Sequence, residues 1–368
     1  MQRRHLLRNL GLGTTGAIAA TACQSGTGSS ESTASSPSRP RVKWRMVTSW
    51  PPSLDTIHGG AELLAERIDA MTDGRFTISV YAAGEIVPAL NVLDAVQAGT
   101  VECGHTSSYY YIGKNPSLAF GTSVPFGLNA QQQNAWFYHG GGLETMHDLY
   151  SDFNILSFPA GNTGTQMGGW FKQEIQSLKD LQGLKMRIPG LGGTVMTELG
   201  VNVQVLPAGD VFLSLDRNTI DAAEFVGPYD DEKLGLHKAA PFYYYPGWWE
   251  PGPTLETLVN RSAWDKLPGE YQEVFTTATK EVNQDMLARY DARNLAALQR
   301  LREGGTQLRP YSPEILQAAK RISDELLATN AAEDATFRKV YDSWQRFRDR
   351  ITQWHEVAEF SYARFTSG

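Results

Sequence analysis

From Arg41 onward two hydrophobic rhythms alternate along the chain. Val42, Trp44 and Met46 are separated by Lys43 and Arg45 at period two, which predicts a half-buried strand ending at Ser49-Trp50-Pro51-Pro52. Ala61, Leu64, Ala65, Ile68 and Met71 then recur at the spacing of one helix face, and Asp73-Gly74 stops that helix. Phe76, Ile78 and Val80 give a second strand, and Pro88 opens a helix through Leu90, Leu93 and Val96 that Gly99 closes. Strand, helix, strand, helix at these intervals predicts an α/β protein with parallel strands and crossover helices. Ligands of such sheets bind beyond the carboxyl ends of the strands. Three of those ends carry hydroxyls and amides: Thr48-Ser49-Trp50, Thr106 to Tyr111, and Asn162 to Gln166 after the strand from Ile155 to Phe158.

Further along, Leu184, Met186 and Ile188 alternate with Lys185 and Arg187 before Pro189-Gly190. This places Arg187 on the last strand residue, facing away from the core, where a planar guanidinium fork fits a carboxylate. The run Gly190-Leu191-Gly192-Gly193 lacks the third glycine and the downstream acid of a dinucleotide fingerprint, and reads as a turn. A short helix from Asp210 to Leu215 leads to Glu224, which stands in an apolar run where a charge is costly unless it is paired or holds a cation. Glu250 is pinned between Trp248-Trp249 and Pro251. Leu255, Thr257 and Val259 read as a return strand. Tyr271, Val274, Phe275, Ala278, Val282 and Met286 form the stripe of a helix that ends at Gly304-Gly305. After Ser312-Pro313-Glu314 a helical pattern resumes and runs nearly to the C-terminus, carrying Phe337, Tyr341, Trp344, Phe347, Ile351, Trp354 and Ala358. So long an aromatic stripe has to pack on something, and a second copy of the chain is favoured over its own domains.

Composition narrows the function. The chain has 368 residues with 33 Lys+Arg against 40 Asp+Glu, a net charge of −7, which excludes a nucleic-acid binder built on a basic face. Nine Trp and fifteen Tyr supply large rings with polar edges for lining a pocket. Arg3, Arg4 and Arg8 precede a Gly/Ala-rich apolar run from Leu10 to Ala22, the order of an export signal and too short for a membrane span. Gln2 to Arg8 resembles a twin-arginine signal, and Ala20-Thr21-Ala22-Cys23 resembles a lipoprotein cleavage box. A lipid anchor on Cys23 and cleavage to a free periplasmic protein stand as alternatives. Residues 24–40 are rich in Ser, Thr, Gly and Pro, as in a flexible tether. With Cys23 lipidated or removed, Cys103 has no disulfide partner and reads as a small buried hydrophobe.

Gln166, Glu224 and Glu250 offer only oxygen ligands, a set that suits sodium, calcium or magnesium rather than zinc. The seven histidines show no metal-binding spacing, and the chain carries no nucleophile elbow or phosphate loop. Two carboxylates around a divalent cation leave no net charge, so Arg187 would add the single positive charge that matches a carboxylate substrate. A monovalent cation would leave one negative charge over, so the residues do not choose between them. A secreted metal-dependent enzyme acting on a keto acid could use the same oxygens, but no general base stands beside them.

At these residues the chain, from about Arg41 to its end, resembles the extracytoplasmic solute receptors of TRAP transporters, the DctP-like family. The arginine of Met186-Arg187-Ile188-Pro189-Gly190 stands where that family places its carboxylate-binding arginine. Gly164 to Lys172, Ala223 to Asp231 and Trp248-Trp249-Glu250 resemble the subgroup that binds 2-oxo acids together with a cation. The resemblance implies a two-lobed periplasmic-binding-protein-like fold with crossing hinge strands and a long C-terminal helix. It assigns the substrate carboxylate to Arg187, and the metal (sodium or calcium) to the side chains of Gln166, Glu224 and Glu250 with the main-chain oxygen of Phe225. Gln166 and Glu224 would also face the substrate, and Tyr110, with Tyr109 as the alternative, is the substrate-facing tyrosine. Phe225 departs from the tryptophan usual there, which changes the pocket wall. The implied function is that of a non-enzymatic receptor for a pyruvate-like 2-oxo monocarboxylate, delivering it to integral membrane subunits. Lactate, a sugar acid or an aromatic acid is the alternative ligand. A helix exchanged between two chains would account for the stripe from Phe337 to Ala358. The expected layout is an export signal at 1–22, a tether at 23–40, one lobe at 41–163 and a second at 164–253. A return connection follows at 254–310, and a helical segment that dimerises at 311–368.

Overall fold

A computed structural model describes residues 40–367; the expectations on Arg3, Arg4, Arg8 and Cys23 lie outside the described residues. Strand β1 (Val42–Thr48) is followed by helix α1 (Ile57–Met71), β2 (Phe76–Tyr81), α2 (Val92–Gln97) and β3 (Cys103–Thr106). Helices α3 (Ala119–Thr122), α4 (Ala130–His139) and α5 (Gly142–Ser151) lead to β4 (Ile155–Asn162). The chain then builds β5 (Trp170–Phe171), β6 (Lys185–Arg187), α6 (Gly190–Glu198), β7 (Asn202–Gln204), α7 (Ala208–Asp216), β8 (Ala222–Ala223), α8 (Pro228–Leu234) and β9 (Phe242–Tyr245). Strand β10 (Thr254–Asn260) returns it to the start, through α9 (Arg261–Trp264) to α10 (Gly269–Glu303). After β11 (Gln307–Pro310) come α11 (Pro313–Glu333), α12 (Ala335–Val357) and α13 (Glu359–Ser367). No helix among the described residues is long and apolar enough to cross a membrane.

The strands make two sheets, the centres of two lobes. The first has the order β2-β1-β3-β10-β4 and the second β11-β9-β5-β8-β6-β7. As the rhythm predicts, β1 runs parallel to both β2 and β3. β10 is antiparallel to β3 and β4, so the chain leaves the first sheet along β4 and re-enters it along β10. These adjacent strands are the crossing connections between the lobes. Behind the first sheet, Phe76 packs edge-on to Trp44 and stacks on Tyr271 of α10, burying a ring worth about 2 kcal/mol. Cys103 is free and buried on β3, a small hydrophobe as expected.

Two expectations change. The glycine run is not a turn but the first turn of α6. Gly190 takes φ +65°, a left-handed conformation that favours glycine, and a Cβ on Gly192 would come within 2.7 Å of Trp249 Cβ, so backbone conformation and close packing each call for glycine here. The C-terminal helical run is also broken, because Asp334 is extended and caps α12 through the Phe337 N–H at 2.7 Å. Most of the aromatic stripe packs on its own chain. Phe120 meets Phe337 at 5.3 Å and Trp344 at 5.6 Å, while Tyr341, Phe347 and Ile351 lie half-buried against the same cluster. The exposed part begins at Trp354 and continues with Val357, Tyr362 and Phe365.

Candidate functional site

The second sheet's register assembles the site. Parallel pairing sets Arg187 of β6 opposite Ala223 of β8, so Glu224 follows directly beside it. The Glu224 N–H donates to the Arg187 carbonyl at 3.1 Å, and Arg187 Nη1 donates to the Glu224 carbonyl at 2.9 Å and to its carboxylate. Arg187 Nε donates to the Leu206 carbonyl at 3.0 Å, and Nη2 reaches the Tyr110 hydroxyl at 3.4 Å. The fork expected to stand open is therefore largely committed to the protein, and Nη2 is the nitrogen with an N–H to spare. Arg187 does turn away from Met186 and Ile188, but into the interior, where it is 1% exposed.

Gln166 and Glu250 arrive from the two connections between the lobes. The Gln166 N–H donates to the Glu250 carbonyl at 3.1 Å, and the Gly247 N–H donates to the Gln166 carbonyl at 3.0 Å. A Cβ on Gly247 would lie 2.5 Å from that carbonyl, so this close approach needs glycine. Trp248 stacks on Phe126 at 5.1 Å and meets Trp249 edge-on, which fixes the chain just before Glu250. Met167 N–H to the Val226 carbonyl (3.1 Å) joins the Gln166 segment to the Glu224 segment.

Electrostatics set these groups apart. Gln166 Oε1, Glu224 Oε2 and Glu250 Oε2 are buried and accept no hydrogen bond. Each such orphan costs about 1–3 kcal/mol, more when charged. Burial pushes the Glu224 carboxyl up to about 8; Arg187 pulls against this and Asp231 adds to it. Burial, and then Glu224, push Glu250 well above the usual carboxylate range, with Arg187 opposing. Burial works against the Arg187 charge, but Glu224 and then the two tyrosines outweigh it and keep the guanidinium protonated. Among the described residues no group of three or more His, Cys, Asp and Glu could hold a metal, so a cation here depends on the glutamine and on main-chain oxygen. The donor set is all oxygen and fits a hard cation.

A small cavity adjoins this group, walled by Trp50, Ile57, Tyr109, Tyr110, Gln166 and Phe225. The three strand ends picked out by their hydroxyls and amides contribute Trp50, Ser107 and Tyr110, and Thr163 and Gln166 to it. The structure thus brings Gln166, Arg187, Glu224, Phe225, Glu250 and Tyr110 to one place, with the Phe225 ring 5.6 Å from the Arg187 guanidinium. Sequence reasoning missed Asp231, whose carboxylate accepts Trp170 Nε1 at 2.9 Å, the Tyr243 hydroxyl at 2.7 Å and the Val226 N–H at 3.2 Å. It braces the Glu224–Val226 segment from behind. It also missed His105, whose Nδ1 accepts Trp50 Nε1 at 2.8 Å while Nε2 faces the Ala160 carbonyl at 3.0 Å. Those bonds require the Nε2–H tautomer, and burial lowers the imidazole to about 4, so His105 stays neutral.

This two-lobed fold, with an arginine and buried acids between its sheets, is that of a solute receptor. Residues 46–334 match the family of bacterial extracellular solute-binding proteins, family 7, also called DctP, and the chain belongs to it. It is 61% identical to the monocarboxylate 2-oxoacid-binding periplasmic protein of Nostoc sp., over 100% of this chain and 99% of that one. Among solved structures it resembles a TRAP transporter solute-binding protein from Bordetella bronchiseptica, at TM-score 0.88 and 47% identity over 89% of this chain and 98% of that one. That structure is a mixed-occupancy dimer with copurified calcium and picolinate in one active site and an apo site in the other. A TRAP periplasmic solute-binding protein from Pseudoalteromonas atlantica, with bound sodium and pyruvate, matches at TM-score 0.85 and 39% identity over 88% of this chain and 99% of that one. The chain is thus a TRAP-type solute receptor of a periplasmic family.

Proposed function

We propose that this receptor binds a 2-oxo monocarboxylate of pyruvate size or slightly larger, without chemical conversion, through Arg187 and a bound sodium or calcium ion. The observation that carries the reading is the trio of buried, unpartnered oxygens on Gln166, Glu224 and Glu250 beside a buried guanidinium. Those side chains, with the main-chain oxygen of Phe225, would hold the cation, and Gln166 and Glu224 would border the substrate as well. Bound there, a divalent ion offsets both carboxylates and offers coordination to a keto oxygen. Arg187 Nη2 and the Tyr110 hydroxyl receive the substrate carboxylate. Its apolar tail lies toward Trp50 and Ile57, where no charged side chain lines the cavity to receive a second carboxylate. The lobes, 41–163 and 164–253, close on the ligand, with 254–310 as the return connection. The closed receptor is then read by integral membrane subunits of the transporter. The exposed Trp354, Val357, Tyr362 and Phe365 support a homodimer through the C-terminal segment 311–368. Export by a twin-arginine-like signal, with or without a lipid on Cys23, completes the reading.

The test is calorimetric titration of ligand-freed protein with pyruvate in chelated, sodium-free buffer, then with sodium or calcium restored. Binding that needs the cation supports the reading and identifies the ion. Equal affinity without any cation removes the metal. Absence of binding in every buffer, with lactate, a sugar acid or an aromatic acid binding instead, replaces the substrate class.

A further inference from the structure

Away from the ligand site, at the rim of the cleft, a second set of polar contacts joins the lobes. Asp55 lies in the segment between β1 and α1, which belongs to the first sheet. Its carboxylate accepts the Tyr229 hydroxyl at 3.0 Å and pairs with Lys233, and both partners stand on α8, which follows β8 of the second sheet. Arg293 of α10 joins the group: its Nη1 is 3.6 Å from Asp55 and donates to Thr56 Oγ1 at 3.0 Å and to the Tyr229 hydroxyl at 3.2 Å. The Tyr229 ring carries both cations, Lys233 at 4.3 Å and Arg293 at 5.0 Å from its centroid. Two like charges on one ring repel each other, and Asp55 is the acid that pairs with both. Partial burial would raise the Asp55 carboxyl, but bonds from Lys233 and Tyr229 and the charges of Lys233 and Arg293 outweigh it and hold it below its ordinary value. On either side of Asp55, Trp50, Leu54 and Ile57 pack in one cluster with Ala223, Phe225 and Val226 of the second lobe.

We propose that Asp55, with Tyr229, Lys233 and Arg293, is a clasp that holds the two lobes closed and so sets the ligand's residence time without touching the ligand. This rests on the reading of the protein as a receptor whose lobes close. The neighbouring Asn294 side chain accepts the Tyr229 N–H at 3.1 Å and the Tyr290 hydroxyl donates to Asp230, which ties this part of α10 to α8. Opening the cleft would thus carry Asp55 away and leave Lys233 and Arg293 facing each other across Tyr229. The clasp therefore favours closure through what opening exposes as well as through the pairing itself. Its members are partly exposed, with Asp55 at 49% and Lys233 at 28%, so the effect is modest and sensitive to salt.

The test is stopped-flow dissociation of pyruvate from the calcium-loaded full chain. Asp55→Asn is expected to raise the off-rate about fivefold and leave the on-rate within about twofold. Raising choline chloride from about 0.05 to about 0.5 M should speed release from the wild type and not from the variant. Lys233→Met should give the same phenotype, and the double variant no more than either single one. An unchanged off-rate, or the same salt response in wild type and variant, overturns the clasp while leaving the receptor reading intact. A second measurement needs no ligand: spin labels at Glu62→Cys and Asp216→Cys report the distance between the lobes. Asp55→Asn should broaden that distribution toward longer distances, and identical distributions overturn the proposal even if pyruvate turns out not to be the substrate.

Discussion

Four of the buried acids among the described residues form two pairs that differ in one respect, while a fifth, Asp230, accepts the Tyr290 hydroxyl at 2.5 Å and keeps its other oxygen without a donor. Asp231 and Glu256 are each 1% exposed, as sealed as Glu224 and Glu250 at 0% and 3%. The oxygens of Asp231 are taken by an indole, a phenol and a main-chain N–H. Glu256 of β10 is bonded by Tyr150, Ser108 and Ser157. These donors are neutral and come from the chain, so the network closes on itself. Glu224 pairs with the Arg187 guanidinium, the strongest partner a carboxylate can have, and Glu250 feels its charge, yet each keeps an oxygen with no donor. Burial of an acid is therefore not what marks a site. The mark is acceptor capacity left over on several groups at once, as on Gln166, Glu224 and Glu250 near Arg187, and not a single spare oxygen such as that of Asp230.

That contrast can be broken by experiment. The largest effect belongs to Glu224→Ala, which should reduce cation-dependent pyruvate affinity about 100-fold or more in calorimetric titration; full retained affinity would remove Glu224 from the ligand set. Next is a pair of isosteric changes scored by denaturant unfolding in chelated buffer. Asp231→Asn turns an amide N–H₂ toward an N–H that can only donate, that of Trp170 or that of Val226 depending on how the amide is oriented, and should cost about 1–3 kcal/mol. Glu250→Gln removes a buried carboxylate that repels Glu224 and takes away no donor's partner, so it should leave stability unchanged or raise it. Equal losses for the two would erase the distinction between satisfied and unsatisfied acids.

How much of this the sequence disclosed follows the same division. Glu224 and Glu250 stood out because an acid among apolar residues or tryptophans is anomalous within a few positions, and Arg187 because the strand rhythm fixed its side. The roles of Asp231 and His105 were illegible, since they exist only once β5, β8 and β9 pair across more than 50 residues and β1 lies beside β3. The glycine run was misread for a related reason. What demands a glycine at Gly192, inside the helix, is Trp249, more than 50 positions away. The aromatic stripe likewise seemed to lack a partner because Phe120, the ring that meets it, belongs to a short helix over 200 residues upstream. Local rhythm reported the elements and their faces. It did not report which distant face would come to meet them.

The smallest effect separates the acids by pH, and it rests on Glu256. Burial pushes this carboxyl up to about 7 from an ordinary value of 4.5, with the hydroxyls of Ser108, Tyr150 and Ser157 pulling it back only in part. A carboxyl raised in the folded state binds its proton more tightly there than in the unfolded chain. Its contribution to stability is then fully present below about pH 4.5 and is lost as the pH climbs through 7. In the wild type this one group should weaken the fold by about 1 kcal/mol between about pH 6 and 7.5. Glu256→Gln keeps an acceptor for the hydroxyls, which can rotate to suit an amide, and cannot ionise, so its stability should be flatter with pH over that range. Taking the difference between variant and wild type cancels every other titrating group, His105 included. Parallel pH curves would mean that Glu256 is ionised throughout at no penalty. A network of neutral hydroxyls would then suffice to hold a buried charge, and the contrast between Glu256 and the Glu224–Glu250 pair would lose its electrostatic basis.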